Sequence, residues 1–171
     1  MPRDGDATIR VGVGYDSHRF ADVGPLKLGG VDIPFDRHLE GHSDGDALAH
    51  AVTDAILGAA GAGDIGELFP DRDPRNKGRD SLDMLRAAVE RIGSLGWRVH
   101  SVDATVVAEQ PRIASHRDAM CAALARALGI DAPAVSVKGK TNEGMGWIGR
   151  EEGLACVAVA TLRARDATPP R

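Results

Sequence analysis

Apolar residues recur along this chain with two periods, near 2 and near 3.6, and they divide it into strands and helices. Ile9 to Gly14 (IRVGVG) alternates as a strand that runs straight into Tyr15-Asp16-Ser17-His18-Arg19. Leu26 to Phe35 (LKLGGVDIPF) reads as a short hairpin turning at Gly29-Gly30, with a polar loop from Asp36 to Gly41 after it. A helix is expected from about Ser43 to Ala60, stopped by Gly61 and Gly63, and then a long charged loop from Asp64 to Pro74. Asp80 or Ser81 caps a second helix, in which Leu82, Leu85, Val89 and Ile92 share a core-facing stripe before Gly96. Trp97 to Glu109 reads as a strand with Val102, Ala104 and Val106 on one face. A third helix is expected from Pro111, near its first turn, to about Leu128, with Gly129 as its stop. Val135 to Lys138 and Leu154 to Leu162 complete the strands.

This order predicts an α/β (α+β) fold: a single mixed β-sheet with helices on one face. The last strand, LACVAVATL, is apolar on both sides, so each side needs cover. Helices supply one cover, and a homo-oligomer packed on the back of the sheet supplies the other. Residues 1–8 are expected to be a flexible N-terminus, 9–162 the folded domain and 163–171 a flexible tail.

At 171 residues, 43% of them hydrophobic, the chain suits one domain with a sizeable core. A net charge of -4 argues against nucleic acid as a partner, because phosphate backbones reward a cationic surface. No apolar run is long enough for a membrane span, and MPRDGDATIR has no apolar signal core. Two cysteines, Cys121 and Cys156, are too few and too far apart for a disulfide framework. These features point to the cytoplasm.

Three stretches carry candidate chemistry. His42, Asp46, His50 and Asp54 recur at intervals of four in LEGHSDGDALAHAVTDAILG, a spacing that places them on successive turns of one helix face. Two readings stay open. Ser43 caps the helix with Asp46 answering it, or the stripe faces a site where imidazole and carboxylate hold a metal. Capping leaves His50 unexplained, since it sits among Leu48, Val52 and Ile56 and needs a partner if buried. Asp16 and His18 point the same way if the first strand stays extended, so they offer two ligands at once, although an isolated D-x-H also suits a polar loop. The Gly12-x-Gly14 pair lacks the third glycine of a dinucleotide fingerprint, since Ser17 stands there. In VKGKTNEGMGWIGREEG, Gly139-Lys140-Thr141 has a P-loop ending without the opening glycine, which falls at Ala134. That segment reads as a glycine-rich hairpin or as a phosphate and cation site built on Lys140, Thr141, Asn142, Glu143 and Arg150. Asp16, His18 and one helix histidine would give the three ligands that leave a catalytic zinc one open position.

Together GYDSHRF, LGGVDIPF, HSDGDALAHAVTDAILGAAGAGDIGELFPD, AEQP and KTNEGMGWIGREEG resemble the 2-C-methyl-D-erythritol 2,4-cyclodiphosphate synthase family of the non-mevalonate isoprenoid pathway, from about Ile9 to Leu162. The resemblance implies a homotrimer with active sites between neighbouring subunits and an apolar channel along its threefold axis, a place open to an isoprenoid diphosphate. It implies a lyase whose cytidine-diphosphate substrate is 4-diphosphocytidyl-2-C-methyl-D-erythritol 2-phosphate, cyclised with release of CMP. It assigns zinc (Zn2+) to Asp16, His18 and His50, and magnesium or manganese (Mg2+ or Mn2+) to Glu143. Asp46 and Asp54 then become supporting or capping groups. His42 and Thr141 take the catalytic, phosphate-stabilising positions, with Asp16, Ser17, His18 and Ser43 also touching substrate. Asp64, Ile65, Gly66, Phe69, Pro70, Asp71, Arg72 and Asp73 correspond to the wall around methylerythritol. Ala108, Glu109, Gln110, Pro111, Arg112, Ile113 and Ala114 correspond to the cytosine pocket, and Lys140, Asn142, Trp147 and Arg150 to further contacts. Lys140 stands where many relatives carry a small residue, and Trp147 stands in place of Phe. Two other readings of the same residues are a metal-dependent nucleotide-diphosphate hydrolase and a trimeric binding module with structural zinc.

Overall fold

The computed structural model describes residues 8–70 and 72–165. The main sheet has five strands: β1 (Ile9–Asp22), β4 (Arg37–Leu39), β5 (Trp97–Val107), β6 (Val135–Lys140) and β7 (Gly153–Ala164). They run in the order β4-β1-β7-β5-β6, antiparallel except for the β5-β6 pair. A separate hairpin pairs β2 (Leu26–Leu28) with β3 (Val31–Ile33), and Gly29 and Gly30 take the left-handed backbone its turn requires, φ 58° and 73°. The helices are α1 (Ala47–Ala60), α2 (Ile65–Leu68), α3 (Ser81–Ser94), α4 (Arg117–Leu128) and α5 (Gly146–Gly149).

The core lies between the sheet and helices α1, α3 and α4, where Leu48, Ile56, Leu85, Ile92, Met120 and Leu124 meet Val102, Val106, Cys156 and Leu162. Gly12 and Gly14 have a packing role: a Cβ on either would collide with the backbone of α1, so their bareness lets the helix lie directly on β1. The other face of β1 and β7 keeps Val11, Val13, Tyr15, Val157 and Val159 exposed. Among the described residues nothing covers that strip, which is the uncovered side anticipated for the last strand.

Several boundaries depart from expectation. β1 continues eight residues past Gly14 to Asp22 because β7 pairs with it as far as Arg19↔Gly153 and a further strand pairs with Phe20 to Asp22, and backbone pairing does not require apolar side chains. Arg37–Leu39 in the expected loop forms β4 on the end of β1. The helix begins at Ala47, not Ser43: its cap is Asp46, whose carboxylate accepts from the Ala49 N–H at 3.0 Å. The same buried carboxylate accepts from the Gly29 and Gly30 N–H groups at 2.8 and 2.6 Å, tying the hairpin turn to the start of α1. Burial pushes this carboxyl up, against those three backbone donors. The Asp64–Pro74 loop contains α2, capped by Asp64, and a single helical turn at Pro74–Asn76, capped by Asp73. Pro111 lies six residues before α4 rather than in its first turn. β7 extends to Ala164, two residues beyond Leu162.

Candidate metal centre and substrate pockets

Strand alternation turns Asp16 and His18 toward the helix layer, and the close seat of α1 on Gly14 brings His50 down to meet them. Asp16 Oδ2 lies 3.1 Å from His50 Nδ1 and 2.9 Å from His18 Nε2. The three donor atoms all fall within 4.8 Å of one another. His18 Nδ1 faces the Glu40 carbonyl oxygen, an acceptor, so in the neutral ring Nδ1 carries the proton and Nε2 the lone pair. That Nε2 is buried and, despite its nearness to Asp16, has no hydrogen-bond partner. A buried, unpartnered imidazole nitrogen aimed at a carboxylate and a second imidazole fits a divalent cation, and this donor set suits zinc chemistry. Burial alone would raise the Asp16 carboxyl, but the adjoining rings of His18 and His50 outweigh it and hold it at about 2. For His18 burial acts downward, and the neighbouring Asp16 carboxylate more than reverses it, leaving the ring above its ordinary value.

His42, Ser43, Ile65, Gly66 and Phe69 join the trio around a cavity of about 220 Å³. Asp64 stands beside it as the cap of α2, accepting from the Glu67 N–H at 2.8 Å. Asp54, one turn after His50, accepts from the Ile65 N–H at 2.8 Å and so fixes the first turn of α2 against α1. Pro70 lends its carbonyl to Asn76, Arg72 is exposed, and Asp73 pairs with Arg75. Asp71 lies outside the described residues. Ser17 is on the opposite face of β1, away from this cavity.

A second cavity, about 310 Å³, is lined by Ala108, Glu109, Pro111, Arg112, Ile113 and Ala114 with Lys140 and Thr141. The two cavities share no lining residue. Beside the second, Glu109 Oε1 accepts from the Asn142 and Gly144 N–H groups at 2.9 and 3.0 Å, fixing the loop that carries Glu143. Glu143 accepts from the Thr141 hydroxyl at 2.9 Å. Trp147 is half-exposed on α5, and Arg150 donates to Glu152 at 2.7 Å. Gln110 is exposed.

Sequence reasoning left two residues of the metal pocket without a role there. Ser81, read only as a helix cap, meets His50 across 31 residues, and Asp44, not singled out, holds Ser81 in place; neither contact gave a local signal.

Fold and site together place this chain among known proteins. The YgbB family profile matches residues 9–163, and the chain belongs to that family. Within it, the 2-C-methyl-D-erythritol 2,4-cyclodiphosphate synthase of Gemmatimonas aurantiaca is 64% identical over 156 residues, covering 91% of this chain and 94% of that protein. The synthase of the same name from Dechloromonas aromatica is 56% identical, over 90% of this chain and 96% of that one. Among solved structures, the Plasmodium falciparum IspF CDP complex superimposes with a TM-score of 0.81 at 37% identity, covering 92% of this chain and 97% of that one. The bifunctional IspDF from Campylobacter jejuni gives a TM-score of 0.91 at 41% identity over 94% of this chain, which spans 44% of that longer one. Among the described residues no helix is long and apolar enough to cross a membrane.

Proposed function

We propose that this chain is a phosphorus–oxygen lyase that converts 4-diphosphocytidyl-2-C-methyl-D-erythritol 2-phosphate into 2-C-methyl-D-erythritol 2,4-cyclodiphosphate. The observation that carries this reading is the orphaned His18 Nε2 turned toward Asp16 and His50, beside His42 and Ser43, in a chain 64% identical to a protein of that name. An oxygen of the 2-phosphate forms a bond to the β-phosphorus, the bond from that phosphorus to the bridging oxygen breaks, and CMP leaves with the electron pair. Nucleophile and electrophile belong to one molecule, so holding it folded is a large part of catalysis.

Asp16, His18 and His50 would hold zinc, which when bound supplies Lewis-acid polarisation of a phosphate oxygen. Glu143 would hold the second cation, magnesium or manganese, beside the diphosphate. His42 and Thr141 donate hydrogen bonds to phosphate oxygens, with Ser43 and Lys140 adding donors and charge. Ile65, Gly66 and Phe69 exclude water around the methylerythritol carbons. The Ala108–Ala114 segment receives cytosine through its backbone groups. Since the two cavities share no residue, a homotrimer that sets one copy's cytosine cavity against its neighbour's metal pocket completes the site, with the apolar strip of β1 and β7 turned toward the common axis. That axis would also admit an isoprenoid diphosphate. The synthase domain occupies residues 9–162 and works in the cytoplasm.

Incubating the purified protein with the cytidylyl substrate, zinc and magnesium, and following phosphorus resonances, tests this. Cyclic diphosphate and CMP are expected. A linear methylerythritol phosphate would establish the hydrolase reading instead, and unchanged substrate would defeat both.

A further inference from the structure

The geometry points to Ser81 as a positioning residue that, with Asp44, fixes which nitrogen of His50 faces the metal. This rests on the metal reading of the Asp16, His18 and His50 trio. Ser81 is the first residue of α3 and is fully buried. Its hydroxyl donates to Asp44, and Asp44 also accepts from the Ser81 N–H at 3.1 Å, so one carboxylate grips both groups of the same residue. An ionised carboxylate accepts and never donates, so the single Ser81 proton is committed to it. Ser81 Oγ therefore turns lone pairs toward His50 Nε2, 2.9 Å away.

Two lone pairs cannot share that contact, so His50 Nε2 carries the hydrogen and donates it to Ser81. With a cation seated between the ring and Asp16 Oδ2, which lies 3.1 Å from Nδ1, this leaves the lone pair of the neutral ring on Nδ1; without the cation the Asp16 carboxylate would compete for the hydrogen there. The tautomer able to ligate a cation beside Asp16 is thus set from the far side of the ring. Ser43 Oγ lies 3.0 Å from the same Nε2, but it is 3.4 Å from Ser81 Oγ, too long for a good hydroxyl pair. With Ser81 serving as acceptor, the Ser43 proton stays available to the pocket. Lys27 Nζ lies 3.8 Å from the same Asp44 carboxylate.

Histidine-labelled, zinc-loaded full-length protein shows, from long-range nitrogen–proton spectra, which nitrogen of each ring carries hydrogen. The His50 signal is the one absent from His50→Gln. His50 is expected as the Nε2–H form, and an Nδ1–H form in the parent protein would overturn the inference without any Ser81 variant. Ser81→Ala should bind zinc about ten-fold more weakly, the usual scale for removing such a support, and no longer hold the Nε2–H form as the single His50 species. Ser81→Thr keeps the hydroxyl and should retain both the tautomer and the affinity. A folded Ser81→Ala, judged by circular dichroism, with unchanged tautomer and zinc affinity would also overturn it. Parent protein that takes up no zinc in calorimetry would instead overturn the metal reading on which it rests.

Discussion

Gly14 lies so close beneath Ala51 that a side-chain carbon on it would come within 1.8 Å of the Ala51 carbonyl oxygen. Asp16 follows Gly14 on the same strand face and His50 precedes Ala51 on α1, so this approach sets the separation of two members of the donor trio. Gly14→Ala should cost at least about 1–3 kcal/mol and weaken zinc binding, because helix and strand must part. Gly58→Ala, where a Cβ meets nothing within 4 Å, should instead stabilise by about 0.5–1 kcal/mol. Chemical denaturation of both variants with zinc titration checks the contrast.

His18→Ala and His50→Ala each remove one donor from the trio. Zinc content should fall toward zero and turnover by about 100-fold or more, since a Lewis acid contributes several kcal/mol at a phosphoryl centre. Metal analysis beside steady-state rates tests this, and an active, zinc-free His50→Ala protein would refute the assignment.

Glu143 sits on the loop beside the second cavity that Glu109 grips. Glu143→Gln should therefore weaken the response of activity to added magnesium while zinc content holds. A magnesium titration indistinguishable from the parent's would remove this residue from the cation site.

Protonation gives a further test in zinc-free protein. Asp16 sits at about 2 against an ordinary 3.8, so its contribution to stability is present above 3.8 and fades as pH falls through about 2. His18 sits above 6.5, so its contribution is present below 6.5 and fades as pH rises through the raised folded value. The stability gap between parent and His18→Gln should be widest between 3.8 and 6.5 and narrow on either side. Denaturant melts across that range measure it.

Much of this arrangement was legible in the residues. The alternation of IRVGVG, the Gly29-Gly30 turn and the stripe of α3 each announced an element from local spacing alone. What escaped depends on distant partners. β1 outruns its apolar residues because β7 carries its backbone hydrogen bonds, and β4 is a strand only because the end of β1 is there to pair with. Ser43 looked like a cap since hydroxyl and acid stood three apart, yet Asp46 takes that place, held by two amides of the hairpin. The short helix α2 went unread inside the expected loop, although Asp64 and Glu67 have the spacing of a cap and its first-turn acid. The D-x-H pair gained meaning only once His50 arrived from another element, and Ser81 and Asp44 had no linear signature at all.

The Asp46 carboxylate, shared between the Gly29-Gly30 turn and the first turn of α1, makes a local event wait on a remote one. Helix nucleation is the slow part of helix formation, and here the nucleating turn is anchored by a hairpin 16–17 residues upstream. Hairpin and helix start should consequently open together in hydrogen exchange, so the placement of His50 is no more durable than a turn far from it in sequence.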